Sequence, residues 1–292
     1  MTSLGTVGLW TGALDALPLS AALEQVAELD EQGWGALWFG EAYGREALTA
    51  AALYLAASRR MAVATGILNI HARDAMATAA AARTLAAAYD GRFVLGLGVS
   101  HRPLVERMRG HDYGQPLSVM RGYLQAMAGA TYAVAGAEPM PTTVLAALGP
   151  KMLAIAGEQA DGAHPYLVTP EHTALARAIL GPDKVLAVEQ AVVLDDDVEQ
   201  WRQRAHWHLE IYTGLPNYRL SWQRLGFGET DWVRGGSDRL KEALVTRGIE
   251  AARARVRSHL DAGASHVCVQ VLGADAFDVP ALDWRRLAPA LL

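Results

Sequence analysis

Cysteine occurs once in the 292 residues, as Cys268, and lysine three times, as Lys151, Lys184 and Lys241. A lone thiol excludes a disulfide framework or a thiolate metal cluster within one chain. It sits in the apolar run His266–Val271, where a buried, inert thiol is expected. The lysines fall at a helix start, at the N-terminal end of a strand and on a helix. None stands at the C-terminal end of a strand, so Schiff-base chemistry is not expected. No Gly-x-Ser-x-Gly elbow appears, which removes the commonest hydrolase signal. His206 and His208 stand two apart on helical sequence and face different sides, and the first strand has no His-x-His pair, so no metal site is expected. Cations are not in excess: the formal charge is -5 and the arginines are scattered, which argues against a nucleic-acid surface. Long apolar runs are also missing. The alanine-rich stretch Ala75 to Ala88 carries Arg83 and falls short of the roughly 20 apolar residues that span a bilayer. The first residues lack a basic segment and Asp15 interrupts the apolar pattern, so a cytoplasmic protein without a secretory leader is expected.

What is present is a chain that is 51% hydrophobic, with strand and helix signals alternating from end to end and no Pro/Gly/Ser-rich linker. One domain over 1–292 is expected. The strand candidates are Gly5–Trp10, Ala36–Phe39, Met61–Leu68, Phe93–Gly98, Thr143–Leu148, Gly162–Val168, Lys184–Leu194 and Ser265–Leu272. Helical sequence follows each: from about Ser20, Glu46–Arg59, Asp74–Tyr89, Pro116–Ala130, from Pro150, Pro170–Leu180, the long segment after strand seven, and Pro280–Leu291. The strands are short and rich in Val and Leu, as parallel strands covered on both faces should be. Eight such units predict an α/β fold, a (β/α)₈ (TIM) barrel. A doubly wound open sheet is the alternative. About seventy residues separate strands seven and eight and carry Trp201, Trp207, Tyr212, Tyr218, Trp222, Phe227 and Trp232. We read 197–247 as a helical insertion, either a cap over the barrel mouth or a packing element.

In such barrels the site lies at the C-terminal strand ends. Those ends read Trp10-Thr11, Gly40-Glu41, Asn69-Ile70-His71, Val99-Ser100-His101, Leu148-Gly149-Pro150, His164-Pro165-Tyr166, Glu189 to Ala191, and Gln270. Gly96-Leu97-Gly98-Val99-Ser100 after a strand invites a dinucleotide reading, but the third glycine is absent and His101-Arg102-Pro103 does not open a helix tightly. The two glycines imply close backbone approach, by a phosphate held on N–H groups and Ser100 or by a neighbouring strand. Without a nucleophile, metal or Schiff-base lysine, a bound cofactor is the best carrier of the reactive centre.

Four runs then take on a family likeness: Leu37–Glu41, Ala64–Ile70, Tyr89–Ser100 and Ala160–His164. In that order they resemble the bacterial luciferase-like superfamily. Within it the chain looks like the coenzyme F-420 (deazaflavin) branch, related to methylenetetrahydromethanopterin reductase and sugar-phosphate dehydrogenases. The strand-four run Gly-Arg-Phe-x-Leu-Gly-x-Gly is the most specific piece. The resemblance implies a cis peptide at Gly66–Ile67 supporting the ring system. It places phosphate contacts at Gly98, Val99, Ser100 and His101 and at Ala147, Leu148 and Gly149, and puts Glu41 and Asn69 near the ring. Glu41 and His71 are the candidate catalytic acids, with His101 and His164 as further proton donors. The implied activity is hydride transfer to or from a small organic substrate. An FMN-dependent monooxygenase is the alternative, and a non-catalytic flavin-binding barrel the second. The resemblance also implies a homodimer packed through the helices after strands two and three. Trp10, Trp38, Tyr43 and the tryptophan-rich insertion suggest an aromatic-walled pocket.

Overall fold

The computed structural model describes residues 4–135, 139–275 and 278–292; residues 1–3, 136–138 and 276–277 of the expected domain lie outside the described residues. In chain order the first half runs β1 (Val7–Trp10), α1 (Leu19–Gln32), β2 (Ala36–Phe39), α2 (Ala47–Ala57), β3 (Ala62–Thr65), β4 (Leu68–Asn69), α3 (Ala75–Ala88), β5 (Phe93–Gly98) and α4 (Pro116–Ala128). The second half runs β6 (Thr143–Leu145), α5 (Pro150–Gln159), β7 (Gly162–Ala163), α6 (Pro170–Leu180), β8 (Val185–Val193), α7 (Val198–Tyr212), α8 (Pro216–Gln223), α9 (Asp238–Leu244), β9 (Val245–Arg247), α10 (Ile249–Asp261), β10 (His266–Val271) and α11 (Ala281–Leu291).

Eight strands close a parallel barrel in the order β1, β2, β3, β5, β6, β7, β8, β10. Closure is made by β10, which pairs with β1 (Val7 with Val267) and with β8 (Ala187 with His266). Alternation along each strand sends one set of side chains outward to the helices and the other into the barrel. On β5, Phe93, Leu95 and Leu97 join the large core under the helices, whereas Val94 faces inward. The inner cluster holds one large ring, Trp38, among Ala36, Ala62, Ala64, Val94, Val144, Ala187 and Cys268. Small residues leave the volume one indole fills, and close packing demands that match. Cys268 is fully buried there.

Helix starts follow local chemistry. Asp74 caps α3 by accepting the Ala77 N–H at 2.8 Å, and Ser237 caps α9 through Leu240 N–H at 3.1 Å. Proline opens α4, α5, α6 and α8. Among the described residues no helix is long and apolar enough to cross a membrane.

Three strands differ from the sequence reading. The expected Met61–Leu68 strand is broken into β3 and β4 by the cis Gly66–Ile67 peptide. The strand expected over Thr143–Leu148 ends at Leu145, and that over Gly162–Val168 ends at Ala163. Pro165 offers no N–H to a ladder, and Leu167 sits at φ +54°, which no strand tolerates. The edge of β8 that meets β7 at Val185 and Leu186 is taken up by β9 at Ala191 to Val193.

Gly96 is required by strand approach: a Cβ there would lie 1.9 Å from the Thr65 carbonyl oxygen. Gly96→Ala is expected to cost about 1–3 kcal/mol through forced backbone displacement. A urea titration should show a lower midpoint with unchanged slope; an unchanged midpoint contradicts the steric account.

Candidate active site

At the C-terminal barrel mouth the chain folds back on itself around Gly66. The Trp10 indole N–H donates to the Gly66 carbonyl at 3.0 Å. A Cβ on Gly66 would sit 2.8 Å from both Trp10 Nε1 and His164 Nε2. Ile67 lies over β5: a Cβ on Gly98 would meet its Cγ1 at 2.5 Å. Of the two strand glycines, then, Gly96 accommodates neighbouring backbone and Gly98 accommodates the Ile67 side chain.

Glu41 is held on every side. Its carboxylate accepts from the Arg73 guanidinium with both oxygens, from the Asn69 N–H at 2.9 Å and from the Ala47 N–H at 3.4 Å. It therefore ties β4 to the start of α2, an anchoring arrangement that leaves little freedom for proton transfer. Arg73, missed in the sequence, also reaches Glu46 at 2.6 Å. Asn69 is fully buried. Its Oδ1 accepts the His71 N–H at 3.0 Å, and its Nδ2 has no partner among the described residues. His71 stacks on Tyr113 at 5.8 Å and its Nε2 is likewise unpartnered. Desolvation, with help from neighbouring His111, lowers its pKa.

The loop after β5 carries Val99, Ser100 and His101. Ser100 adopts φ +58° and its carbonyl accepts the Tyr113 hydroxyl at 3.1 Å. His101 approaches Tyr218 at 5.9 Å, and burial lowers its pKa. After β6, Ala147 packs into the outer core, so only its backbone is available to a ligand. The Leu148 carbonyl accepts from His172 Nε2 at 2.8 Å. Gly149 caps α5, and both terminal nitrogens of Arg224 come within 3.8 Å of where its Cβ would be. A helix N-terminus beside a guanidinium suits an anion. No local signal in the sequence marked Arg224, which lies 75 residues after Gly149.

His164 stands inside the barrel, stacked on Trp38 with centroids 4.5 Å apart. Its Nδ1 donates to the Ala187 carbonyl at 2.9 Å, which leaves Nε2 as a lone pair without a partner among the described residues. Burial lowers its pKa to about 4, so the ring is neutral. His266, by contrast, uses both nitrogens, on Gly5 O and Trp38 Nε1. Above them runs an aromatic wall. Tyr166 touches Trp10 at 5.3 Å and Tyr212 at 5.5 Å, Tyr212 meets Tyr218 at 4.9 Å, and Tyr218 meets Trp222 at 5.7 Å. His208 joins this wall with its pKa lowered to about 4 by burial. The Tyr166 hydroxyl donates to Gln270 Oε1 at 2.6 Å, linking β7 to β10. Tyr43 is 80% exposed and is not part of the wall.

A closed parallel barrel with polar groups gathered at its C-terminal mouth defines the class. The profile of the luciferase-like monooxygenase family matches residues 3–263, and the chain belongs to that family. A protein of Mycobacterium tuberculosis (strain ATCC 25618 / H37Rv), by name a candidate coenzyme F-420-dependent oxidoreductase, is 28% identical over 233 residues, 65% of this chain and 67% of its own. An F-420-dependent secondary alcohol dehydrogenase, solved in complex with an F-420–acetone adduct, superposes over 100% of both chains with a TM-score of 0.74 at 14% identity. The oxygenating constituent of 3,6-diketocamphane monooxygenase from Pseudomonas putida, solved with FMN, matches at TM-score 0.68 and 14% identity over 99% of this chain and 96% of that one. At these identities the structural likeness speaks to the fold.

The side chains of Glu41 and Arg73 are 5% and 13% exposed. Removing the cation from a pair so buried strands the anion, at a cost of about 3–5 kcal/mol. Arg73→Ala is expected to lose that much in urea unfolding, and adding Glu41→Gln should recover part of it. An Arg73→Ala variant as stable as the parent contradicts the anchoring role.

Proposed function

We propose that this protein is a coenzyme F-420-dependent oxidoreductase that moves hydride between the deazaflavin and a small carbonyl or alcohol substrate. The observation that carries the reading is the buried lone pair beside Gly66. The neutral His164 Nε2 packs with Trp10 Nε1 against Gly66 and has no partner among the described residues. A ring with a polar edge would satisfy that lone pair, whereas a purely apolar ligand would leave it unpaired. The likeness to the F-420–acetone complex supports the same cofactor and substrate class.

When bound, the deazaflavin supplies a two-electron hydride donor or acceptor. The chain's own residues do the rest. Gly66, Ile67 and Asn69 would form the ledge for the ring. Gly98, Val99, Ser100 and His101, with the Ala147-Leu148-Gly149 turn and Arg224, would hold its phosphate. The wall of Trp10, Tyr166, His208, Tyr212 and Tyr218 would exclude water and favour a neutral substrate. Glu41, locked by Arg73, would position the ledge. His71 and His101, each with its pKa lowered by burial, would serve as hydrogen-bonding groups at the rim. A homodimer packed through α2 and α3 completes the reading. The likeness to the FMN complex favours a second reading, an oxygen-using monooxygenase.

Under argon, reduced F-420 deuterated at its reactive carbon should pass deuterium to the carbonyl carbon of a small ketone, with no oxygen consumed when air is admitted. Incorporation of labelled oxygen from dioxygen into the product with reduced FMN, and no deuterium transfer, would establish the monooxygenase instead. Binding with neither activity would indicate a non-catalytic barrel.

A further inference from the structure

Glu189 lies on the inner face of β8, between Ala187 in the barrel interior and Ala191 beneath the cap helices. Its side chain has no exposed surface. Oε2 accepts the Leu167 N–H at 3.0 Å, and Oε1 has no hydrogen-bond partner among the described residues. On the neighbouring strand β10 its register partner is Cys268. From the other elements the titratable groups that feel its charge are Cys268 on β10, Tyr166 after β7, Tyr212 on α7 and Tyr218 on α8. Burial keeps all four protonated and neutral, and no cation is among them. A buried carboxylate with no counter-ion keeps its proton.

We propose that Glu189 is the acid of the reaction, giving its proton to the substrate oxygen at the floor of the mouth and recovering it in the reverse direction. The assignment rests on the hydride-transfer reading above. Hydride from the reduced deazaflavin forms the new C–H bond at the carbonyl carbon. The π pair of the C=O bond moves onto oxygen, and the Glu189 proton forms the O–H bond. The deazaflavin leaves oxidised and Glu189 is left as carboxylate, which solvent reprotonates. Burial pushes the Glu189 carboxyl from its ordinary 4.5 up to about 8, so the proton is present at neutral pH and the group sits close to the working range. The sign for stability follows. Between about 4.5 and about 8 the unfolded chain releases this proton and the folded chain keeps it, so the native state loses stability as pH rises through that window.

Glu189→Gln separates this role from a structural one, because the amide oxygen still accepts the Leu167 N–H while no proton can be given. The unliganded wild-type protein should show an infrared band of a protonated carboxyl that titrates near pH 8 and is missing from the variant. In urea the variant should gain on wild type as pH rises from about 5 to about 8. With F-420 and a small ketone, kcat should fall roughly 10²–10⁴-fold, the basic limb of its pH profile should disappear, and the F-420 dissociation constant should not move. A variant that turns over like wild type with an unaltered profile overturns the assignment alone, as does the absence of a titrating carboxyl band. Absence of hydride transfer in the wild-type protein overturns the deazaflavin reading and this assignment with it.

Discussion

Trp10, Trp38, Tyr166, Tyr212 and Tyr218 crowd the barrel interior and mouth, and the titratable groups buried among them are pushed toward their neutral forms. His164 and His208 fall to about 4, Tyr212 rises to about 12 and Glu189 to about 8, all with desolvation as the leading cause. An ionised group in such a place needs a paired partner, and among the described residues none is found beside these groups. The closest pair, Glu41 with Arg73, is set back at the start of α2 and serves to hold β4 in position. Neutral polar contacts inside and charge kept at the rim support the hydride-transfer reading proposed above.

The scaffold explains how those neutral groups stay fixed. His164 is clamped between the Ala187 carbonyl and the face of Trp38, and Trp38 is fixed in turn by its N–H bond to His266. Small residues around Trp38 leave one packing solution. Helices α7 and α8 carry side chains that pack on one another as well as on the barrel. Preorganisation of this kind spares the reaction the cost of reorienting solvent.

Much of this was legible in the residues. Strand Phe93–Gly98 and helix Pro170–Leu180 have the ends read from the sequence, because Asp90-Gly91 and Pro170 punctuate the chain locally. The parallel barrel followed from the rhythm of eight apolar strands. The short length of β7 was not legible, since it depends on backbone geometry at Leu167 and on β9, from far along the chain, taking up the edge of β8. The site shows the same division. Gly98 announced a close approach, while the approaching group, Ile67, could be named only from the fold. Glu41 was visible as a strand-end acid, but its engagement by Arg73, 32 residues on, is a tertiary fact. Glu189 was one of two adjacent polar letters, with Gln190, in an apolar strand, and the absence of a cation beside it among the described residues emerges only when β10, α7 and α8 are in place.

The proposed function turns on which ring the site beside Gly66 would bind. Separate fluorescence titrations of the purified protein with oxidised F-420 and with FMN measure this directly. The account predicts micromolar or tighter binding of F-420, with FMN weaker by about tenfold or more, a difference of about 1.4 kcal/mol. Tighter binding of FMN would contradict it.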